Sequence, residues 1–431
     1  MPADEVTTRL PPDTRTGTEP LTTRLPPDTR TGTEPLTPDA SEGEVTTRFP
    51  PDTPAGPEPG PGLAALRERA AVVPVSLPSG ARAWLVTRHE DNRRFLADPV
   101  FSRAAAASAA APRLRRVALE AASMTTMDPP EHTRIRRLVA QAFSRQSAER
   151  LWPRVERTAD TLVADMAAAG PPADLVTGLA RPLPFTVIRE LLGVPDSDHA
   201  LFHGWAAAHL EGTDEEAAGR LHGYLAGLVA AKREAPGDDL LSVLVNARED
   251  DRLSERELAA LGVTLLVAGY ETVANLVAGS VQALLRHPGQ LAALRARPEL
   301  MDGAVEELLR YVPISVSGGT MRVATRPARL GGRSIAAGEA VLPATVSANR
   351  DARVFDEPDR LDLTRAPNPH LAFGHGPHRC LGAHLARVEL RAALAALLRR
   401  MPDFRLAVPD DQVSWRVTGM LRGPEALPLA W

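Results

Sequence analysis

With 431 residues, 44% of them hydrophobic and 24% charged, the chain carries enough apolar material for a large globular core. A formal charge of −4 with both signs interspersed gives no reason to expect nucleic-acid binding, and a single cysteine excludes an intramolecular disulfide and suits a reducing compartment. No uninterrupted apolar run approaches the roughly 18 residues that span a bilayer, and the first residues lack a signal peptide's basic and apolar regions, so a cytoplasmic protein with no membrane partner is expected.

Residues 1–60 hold an internal repeat. Val6-Thr-Thr-Arg-Leu-Pro-Pro-Asp-Thr-Arg-Thr-Gly-Thr-Glu-Pro20 recurs as Leu21 to Pro35, and a looser third copy begins at Val45-Thr-Thr-Arg-Phe-Pro-Pro-Asp. Solenoid repeats carry apolar faces that stack, and these carry almost none, so 1–60 reads as a disordered Pro/Thr-rich tail. From Gly62 onward the chain reads as one domain, 61–431, mainly α with small β-sheets. A hairpin is expected from Val73–Leu77 and Ala81–Thr87 around Pro78-Ser-Gly80. Apolar spacing with a 3.6-residue period then predicts helices near 88–97, 131–143, 148–168, 182–192, 197–210, 214–233, 239–248, 254–286, 289–296, 298–311 and 382–400. Further strands are expected only near Thr320–Thr325, near Ala340–Ala344 and at the C-terminus.

The longest helix opens on Ser254-Glu-Arg-Glu257, a capping box, and stops at His287-Pro288; at 1.5 Å per residue it is on the order of 50 Å long. Inside it lies Ala268-Gly269-Tyr-Glu271-Thr272. A mid-helix glycine costs about 1 kcal/mol relative to alanine, and a carboxylate among apolar turns is expensive to bury unpaired. Small side chains at 268 and 269 would let a ligand lie against the helix, and Thr272 Oγ can bond back to the carbonyl of residue 268. Close packing of helices would explain Gly269 equally well.

Phe373-Gly-His-Gly376-Pro-His378-Arg-Cys380-Leu-Gly382 holds the only cysteine and runs straight into a helical segment. Backbone N–H groups at a helix N-terminus favour a thiolate, so Cys380 reads as a ligand-grade sulfur. Gly376 and Gly382 permit a tight loop against which a flat cofactor could lie. A zinc site from Cys380 with His375, His378 and His384 is the competing reading, but structural zinc usually recruits several cysteines or paired ligands.

Phe373, Gly376, Cys380 and Gly382 in this spacing resemble the haem-binding loop of the cytochromes P450, whose cysteine thiolate ligates iron. Ala268-Gly269-Tyr-Glu271-Thr272 resembles the family's oxygen-activation motif, and Glu307-Leu-Leu-Arg310 its structural Glu-x-x-Arg. The resemblance covers roughly 45–431 and extends to the C-terminal run Trp415–Trp431, which is similar to the ending of actinobacterial P450s that oxidise macrolides and related polyketides. It implies haem b (iron protoporphyrin IX) held through Cys380, with Phe373, Gly376, Gly382, Ala268 and Gly269 around it. His132, Arg136, Arg322 and His378 would meet the propionates. Thr272 and Glu271 would organise and deliver protons, and Arg360 would join Glu307 and Arg310 in a charge network. It further implies a monomeric monooxygenase inserting one oxygen atom from O2 into a bulky, mostly apolar secondary metabolite. Electrons would come from a ferredoxin and ferredoxin reductase, guided by a basic face of Arg134, Arg137, Arg379, Arg387 and Arg391. Desaturation, oxidative coupling and a non-catalytic binding role are the alternatives.

Overall fold

The computed structural model describes residues 46–51, 56–112, 123–211, 216–246, 253–418 and 420–431. The chain divides into two units, 1–37 and 38–431, and the fold is that of the second. Its helices are α1 (Pro61–Arg69), α2 (His89–Ala97), α3 (Arg103–Ala107), α4 (Glu131–Ala140), α5 (Arg145–Ala169), α6 (Pro182–Leu192), α7 (His199–Glu211), α8 (Ala217–Glu234), α9 (Leu240–Val245), α10 (Glu255–Arg286), α11 (Pro288–Ala296), α12 (Met301–Tyr311), α13 (Thr345–Ala348) and α14 (Ala383–Arg400). The strands are β1 (Thr47–Arg48), β2 (Val72–Ser76), β3 (Arg82–Val86), β4 (Phe101–Ser102), β5 (Ala173–Asp174), β6 (Arg322–Ala324), β7 (Ala328–Leu330), β8 (Arg333–Ile335), β9 (Ala340–Pro343), β10 (Arg405–Leu406), β11 (Trp415–Thr418), β12 (Leu421–Pro424) and β13 (Pro428–Ala430). They form a mixed sheet in the order β1-β2-β3-β9-β6-β4, a small sheet β10-β13-β5, and the hairpins β11-β12 and β7-β8. The β7-β8 hairpin was not anticipated, although its turn, Gly331-Gly332 with φ of +53° and +81°, is one that glycine alone favours.

α10 is the axis of the helical layer. Ser254 Oγ accepts from the Glu257 N–H (3.2 Å) and the Glu257 carboxylate accepts from the Ser254 N–H (2.8 Å), so the expected capping box is formed. The helix packs against α6, α8, α14 and β12. Leu258, Leu261, Leu266, Leu276 and Leu284 are fully or almost fully buried, each contributing roughly 1.5–3 kcal/mol. By length and composition α10 could cross a membrane, but most of its apolar stretch is buried inside the protein, as the central helix of a globular body requires.

The expected boundary at residue 60 does not coincide with the edge of the packed body. Thr47 and Arg48 pair in parallel with Val75 and Ser76, and Phe49 is 1% exposed. Arg422 donates to the carbonyls of Gly56 and Glu58, and Glu58 pairs with Arg286 at 3.2 Å. Residues 46–51 and 56–60 therefore belong to the fold; a backbone strand and one aromatic side chain suffice to seat them, and neither shows in a composition dominated by Pro and Thr.

α14 packs along α5 and α10 and holds a carboxyl in its buried face. Glu389 is 3% exposed, its Oε2 has no hydrogen-bond partner among the described residues, and burial pushes its pKa up to about 8. The unfolded carboxyl titrates near 4.5. Between those values the folded chain holds a proton that the unfolded chain has lost, so this group's contribution is complete below about 4.5 and declines until about 8. Each tenfold difference in proton affinity between the folded and unfolded chain is worth about 1.4 kcal/mol, so the decline amounts to several kcal/mol. Glu389→Gln is expected to flatten it, seen as a smaller difference in denaturant midpoint between pH 5 and pH 8 than in the parent chain; an unchanged difference would show that another group carries it.

Candidate active site

The cysteine loop is shaped by its own backbone. The Cys380 N–H donates to the Phe373 carbonyl at 2.8 Å, and the Arg379 N–H to that of Gly376 at 3.0 Å. Gly374 and Gly376 have φ of +69° and +73°, where L side chains are strained. A methyl group on Gly376 would lie 2.5 Å from the Leu96 carbonyl oxygen. That glycine is therefore required by the close approach of the loop to α2, a packing reason distinct from the cofactor contact expected of it. Gly382 begins α14, and a side chain there would meet nothing within 4 Å; its N–H donates to the Cys380 thiol.

Cys380 is open to solvent at its surface yet surrounded by many protein atoms, and the second property governs its ionisation. Burial pushes the thiol up, against the Gly382 N–H and the charges of Arg136, Arg379 and Arg387. Burial thus opposes the thiolate that the helix N-terminus favours, and a metal cation on the sulfur would offset that opposition.

Donors gather beside this loop. The Arg136 Nη2 donates to the Arg379 carbonyl (2.6 Å), which brings α4 against the loop. The His132 and His378 rings lie 4.0 Å apart at 40°. Arg322, on β6 and 3% exposed, holds its guanidinium 5.3 Å from the Phe95 ring centroid. Arg103, at the start of α3, completes the group. Sequence reasoning missed it, and its one sequence signal is a cation directly after a short strand.

Burial, reinforced mainly by Arg136 and Arg103, lowers His132 to about 4. Burial, then Arg103, His132, Arg322 and Arg136, lowers His378 to about 2. Both imidazoles are neutral at pH 7. Asp128, the acid among them, accepts from the Arg103 N–H (2.9 Å) and the Ser102 hydroxyl. His132 Nδ1, Arg103 Nε and two nitrogens of Arg322 are buried without a hydrogen-bond partner among the described residues. Each such donor costs about 1–3 kcal/mol unless an acceptor arrives. A ligand with two carboxylates fits this set, and a thiol beside it fits a metal within the same ligand.

The second motif lies in α10, where Glu271 and Thr272 face different surroundings. Thr272 Oγ1 donates to the Ala268 carbonyl at 2.5 Å, the back-bond its position suggests. Ala268 is exposed in the middle of an otherwise buried helix. Gly269 has no protein neighbour that demands a glycine: a methyl there would sit at ordinary distance, 3.6 Å, from Ile188. Glu271 is buried and accepts from Arg416 Nη2 of β11 at 3.3 Å. It borders a cavity of about 50 Å3 with Arg181, His203, Asn275 and Arg416, room for more than one water. Cys380, His132, Arg136, Arg322 and His378 do not line that cavity.

The scaffold network differs from expectation in one member. Arg310 grips Glu307 with two hydrogen bonds of 2.8 Å, both side chains wholly buried. The third partner is Arg365, whose Nε donates to Glu307 at 3.2 Å. The Arg360 side chain turns instead to the exposed Glu357, and only its carbonyl accepts from Arg310. The expected basic face is also partly neutralised. Arg134 pairs with Glu257, Arg391 with Asp302, and Arg387 with Glu306. Burial would raise Glu306, but Arg387 and His370 hold it at about 2.

A family model described as Cytochrome P450 matches residues 214–424. Nocardicin C N-oxygenase of Nocardia uniformis subsp. tsuyamanensis is 50% identical over 378 residues, 86% of this chain and 95% of that one. Mycinamicin IV hydroxylase/epoxidase of Micromonospora griseorubida is 47% identical over 373 residues, 85% and 94%. Among solved structures, the cytochrome P450 hydroxylase from the leinamycin biosynthetic pathway of Streptomyces atroolivaceus S-140 superimposes with a TM-score of 0.84 at 47% identity, covering 90% of this chain and all of that one.

Proposed function

The chain belongs to the cytochrome P450 family, and on that premise we propose that it inserts one atom of dioxygen into a C–H bond of a bulky, largely apolar secondary metabolite of macrolide or polyketide type. It is a monooxygenase whose cofactor is haem b. When bound, haem supplies the chemistry of dioxygen reduction and oxygen transfer; the protein supplies a ligand, protons, shape and dryness.

Cys380 is the iron ligand, and the Gly382 N–H on its sulfur tunes that ligand. His132, Arg136, Arg322, His378 and Arg103 receive the propionates, which satisfies the donors now without acceptors. This is the single observation that carries the assignment: buried nitrogens of Arg103, His132 and Arg322, without hydrogen-bond partners among the described residues, set beside the one thiol. Phe373, Gly376, Gly382, Ala268 and Gly269 shape the walls. Thr272 holds water at its hydroxyl, and Glu271 passes protons from the polar cavity behind α10. Intact Cys380 and Thr272 speak against a non-catalytic role.

Substrate, O2 and an external redox partner are required. A ferredoxin with its reductase fits a chain with one cysteine, which cannot hold an iron–sulfur cluster of its own. The residues suit a cytoplasmic monomer. The relatives named above act on nocardicin C and on mycinamicin IV, so oxygenation at nitrogen is the second reading, favoured by the 50% identical N-oxygenase. Screening natural-product amines and macrolides for spin-state shifts, followed by product analysis, tests both. A product gaining one oxygen at carbon supports the first, one at nitrogen the second, and products that lose hydrogen or couple without gaining oxygen overturn both.

Thr272→Ala is expected to keep the thiolate-type spectrum of the CO-bound ferrous protein while product per electron pair falls roughly tenfold or more, the electrons ending in peroxide or water. Unchanged coupling would remove the proton-handling role from Thr272.

A further inference from the structure

One face of α10 is open along its middle. Thr264, Ala268 and Thr272 follow one another at four-residue intervals, so their side chains share that face. Ala268 is exposed and the two threonines are half-buried, whereas Leu261, Leu265 and Leu266 are buried. At the Thr264 end this face meets the single 3-10 turn Met124–Thr126 through Ser123, whose Oγ lies 3.1 Å from Thr264 Oγ1. The Thr125 carbonyl in that turn accepts from Arg103 Nη1 at 3.0 Å. Three hydroxyls, of Thr125, Ser123 and Thr264, therefore stand between the open face of α10 and the donors that receive carboxylates.

The order of protons in this chain of hydroxyls follows from its partners. A hydroxyl has one proton and two lone pairs. Thr264 directs its proton to the Ala260 carbonyl at 2.8 Å, so Ser123 must donate to Thr264. Ser123 Oγ also lies 2.8 Å from Thr125 Oγ1 and accepts from the Thr125 N–H at 3.2 Å; with its own proton engaged, it accepts from the Thr125 hydroxyl as well. The reverse order, running from Thr264 to Thr125, would give up the Ala260 bond and make one bond fewer. All three protons thus point into the protein. The open side meets acceptors only, the lone pairs of Thr125 Oγ1 and the remaining one of Thr264 Oγ1.

We infer that Thr125 and Thr264 are the polar anchor of the substrate pocket, and that they select a neutral hydrogen-bond donor, such as a free hydroxyl, on the substrate. This rests on the monooxygenase reading given above and adds to it the chemistry of one substrate group. Ether, ester and ketone oxygens would face lone pairs with no proton between. An ammonium group is disfavoured by Arg103, bound to the carbonyl of Thr125 itself, while Asp128 is already engaged by the Arg103 N–H and the Ser102 hydroxyl. Eight residues separate Thr264 from Thr272, about 12 Å along the helix. The selected donor therefore lies remote from the atom that is oxidised beside Thr272.

Spectral titration of the full-length haem-loaded protein tests this with N-alkylimidazoles, whose ring nitrogen binds haem iron and shifts the Soret band. Their alkyl chains, of about four to ten carbons, end in a hydroxyl, a methyl ether or an ammonium group. At the best length the hydroxyl probe is expected to bind roughly tenfold more tightly than either analogue. In Thr125→Val/Thr264→Val that preference is expected to shrink to within about twofold, and in Thr264→Ser to persist, because serine keeps the chain of bonds. Equal affinity of hydroxyl and ether at every length, tightest binding of the ammonium probe, or a preference that survives the double variant overturns the inference and leaves the monooxygenase reading intact. A parent protein whose Soret band no azole shifts overturns both. The thiolate-type spectrum, unchanged in the variants, confirms that they are folded.

Discussion

Cys380→Ala is expected to yield a folded protein without the thiolate-type absorption of the CO-bound ferrous form and without monooxygenase turnover. The substitution removes the sulfur and little volume, and the loop geometry rests on main-chain bonds from Cys380 to Phe373 and from Arg379 to Gly376 that alanine and its neighbour keep. The donors of Arg103, His132 and Arg322 remain, so some haem is expected to be retained through its carboxylates. Activity should fall below detection, and the measurements are the ferrous-CO difference spectrum with haem content per chain. A Cys380→Ala protein that kept the thiolate-type band would refute the ligand assignment, because the chain has no other cysteine.

Glu307→Ala is expected to lower stability by about 3–5 kcal/mol. Removing one partner of a buried pair leaves the other charge uncompensated, and here two guanidiniums, Arg310 and Arg365, converge on one carboxylate. The network also joins α12 to the segment ahead of the cysteine loop, since the Asp362 N–H and the Asn368 amide donate to the same carboxylate. Loss of haem is expected to accompany the loss of stability. Arg365→Ala should show a fraction of the effect, and Arg360→Ala, whose pair with Glu357 is exposed and screened by water, should show almost none. Denaturant midpoints of the three variants decide it; equal losses from Arg365→Ala and Arg360→Ala would show that Arg365 is not the third member of the network.

What the sequence made legible follows from where local rules govern. α10 was readable because Ser254 and Glu257 cap it, Pro288 ends it and its apolar period is regular. The Cys380 loop was readable because four residue types at fixed spacing are needed together. The network's third arginine was not: residues 349–382 hold little regular structure, so no period tells which of Arg360 and Arg365 points inward. Phe49 was obscured by the repeat around it, a single large apolar residue among Pro, Thr and charge. The role of Gly376 depends on the carbonyl of Leu96 in α2, far away along the chain, a contact that exists only in three dimensions. The burial that opposes ionisation of the Cys380 thiol was hidden for a related reason: helix-end geometry is local, whereas the depth at which the sulfur sits is set by the whole fold.

The closely packed, tilted imidazoles of His132 and His378 have a practical corollary. Paired histidines commonly scavenge nickel or zinc from purification resins and growth media. In this protein Arg103, Arg136 and Arg322 crowd the same spot, so a stray dication would be repelled by the very charges that invite carboxylates.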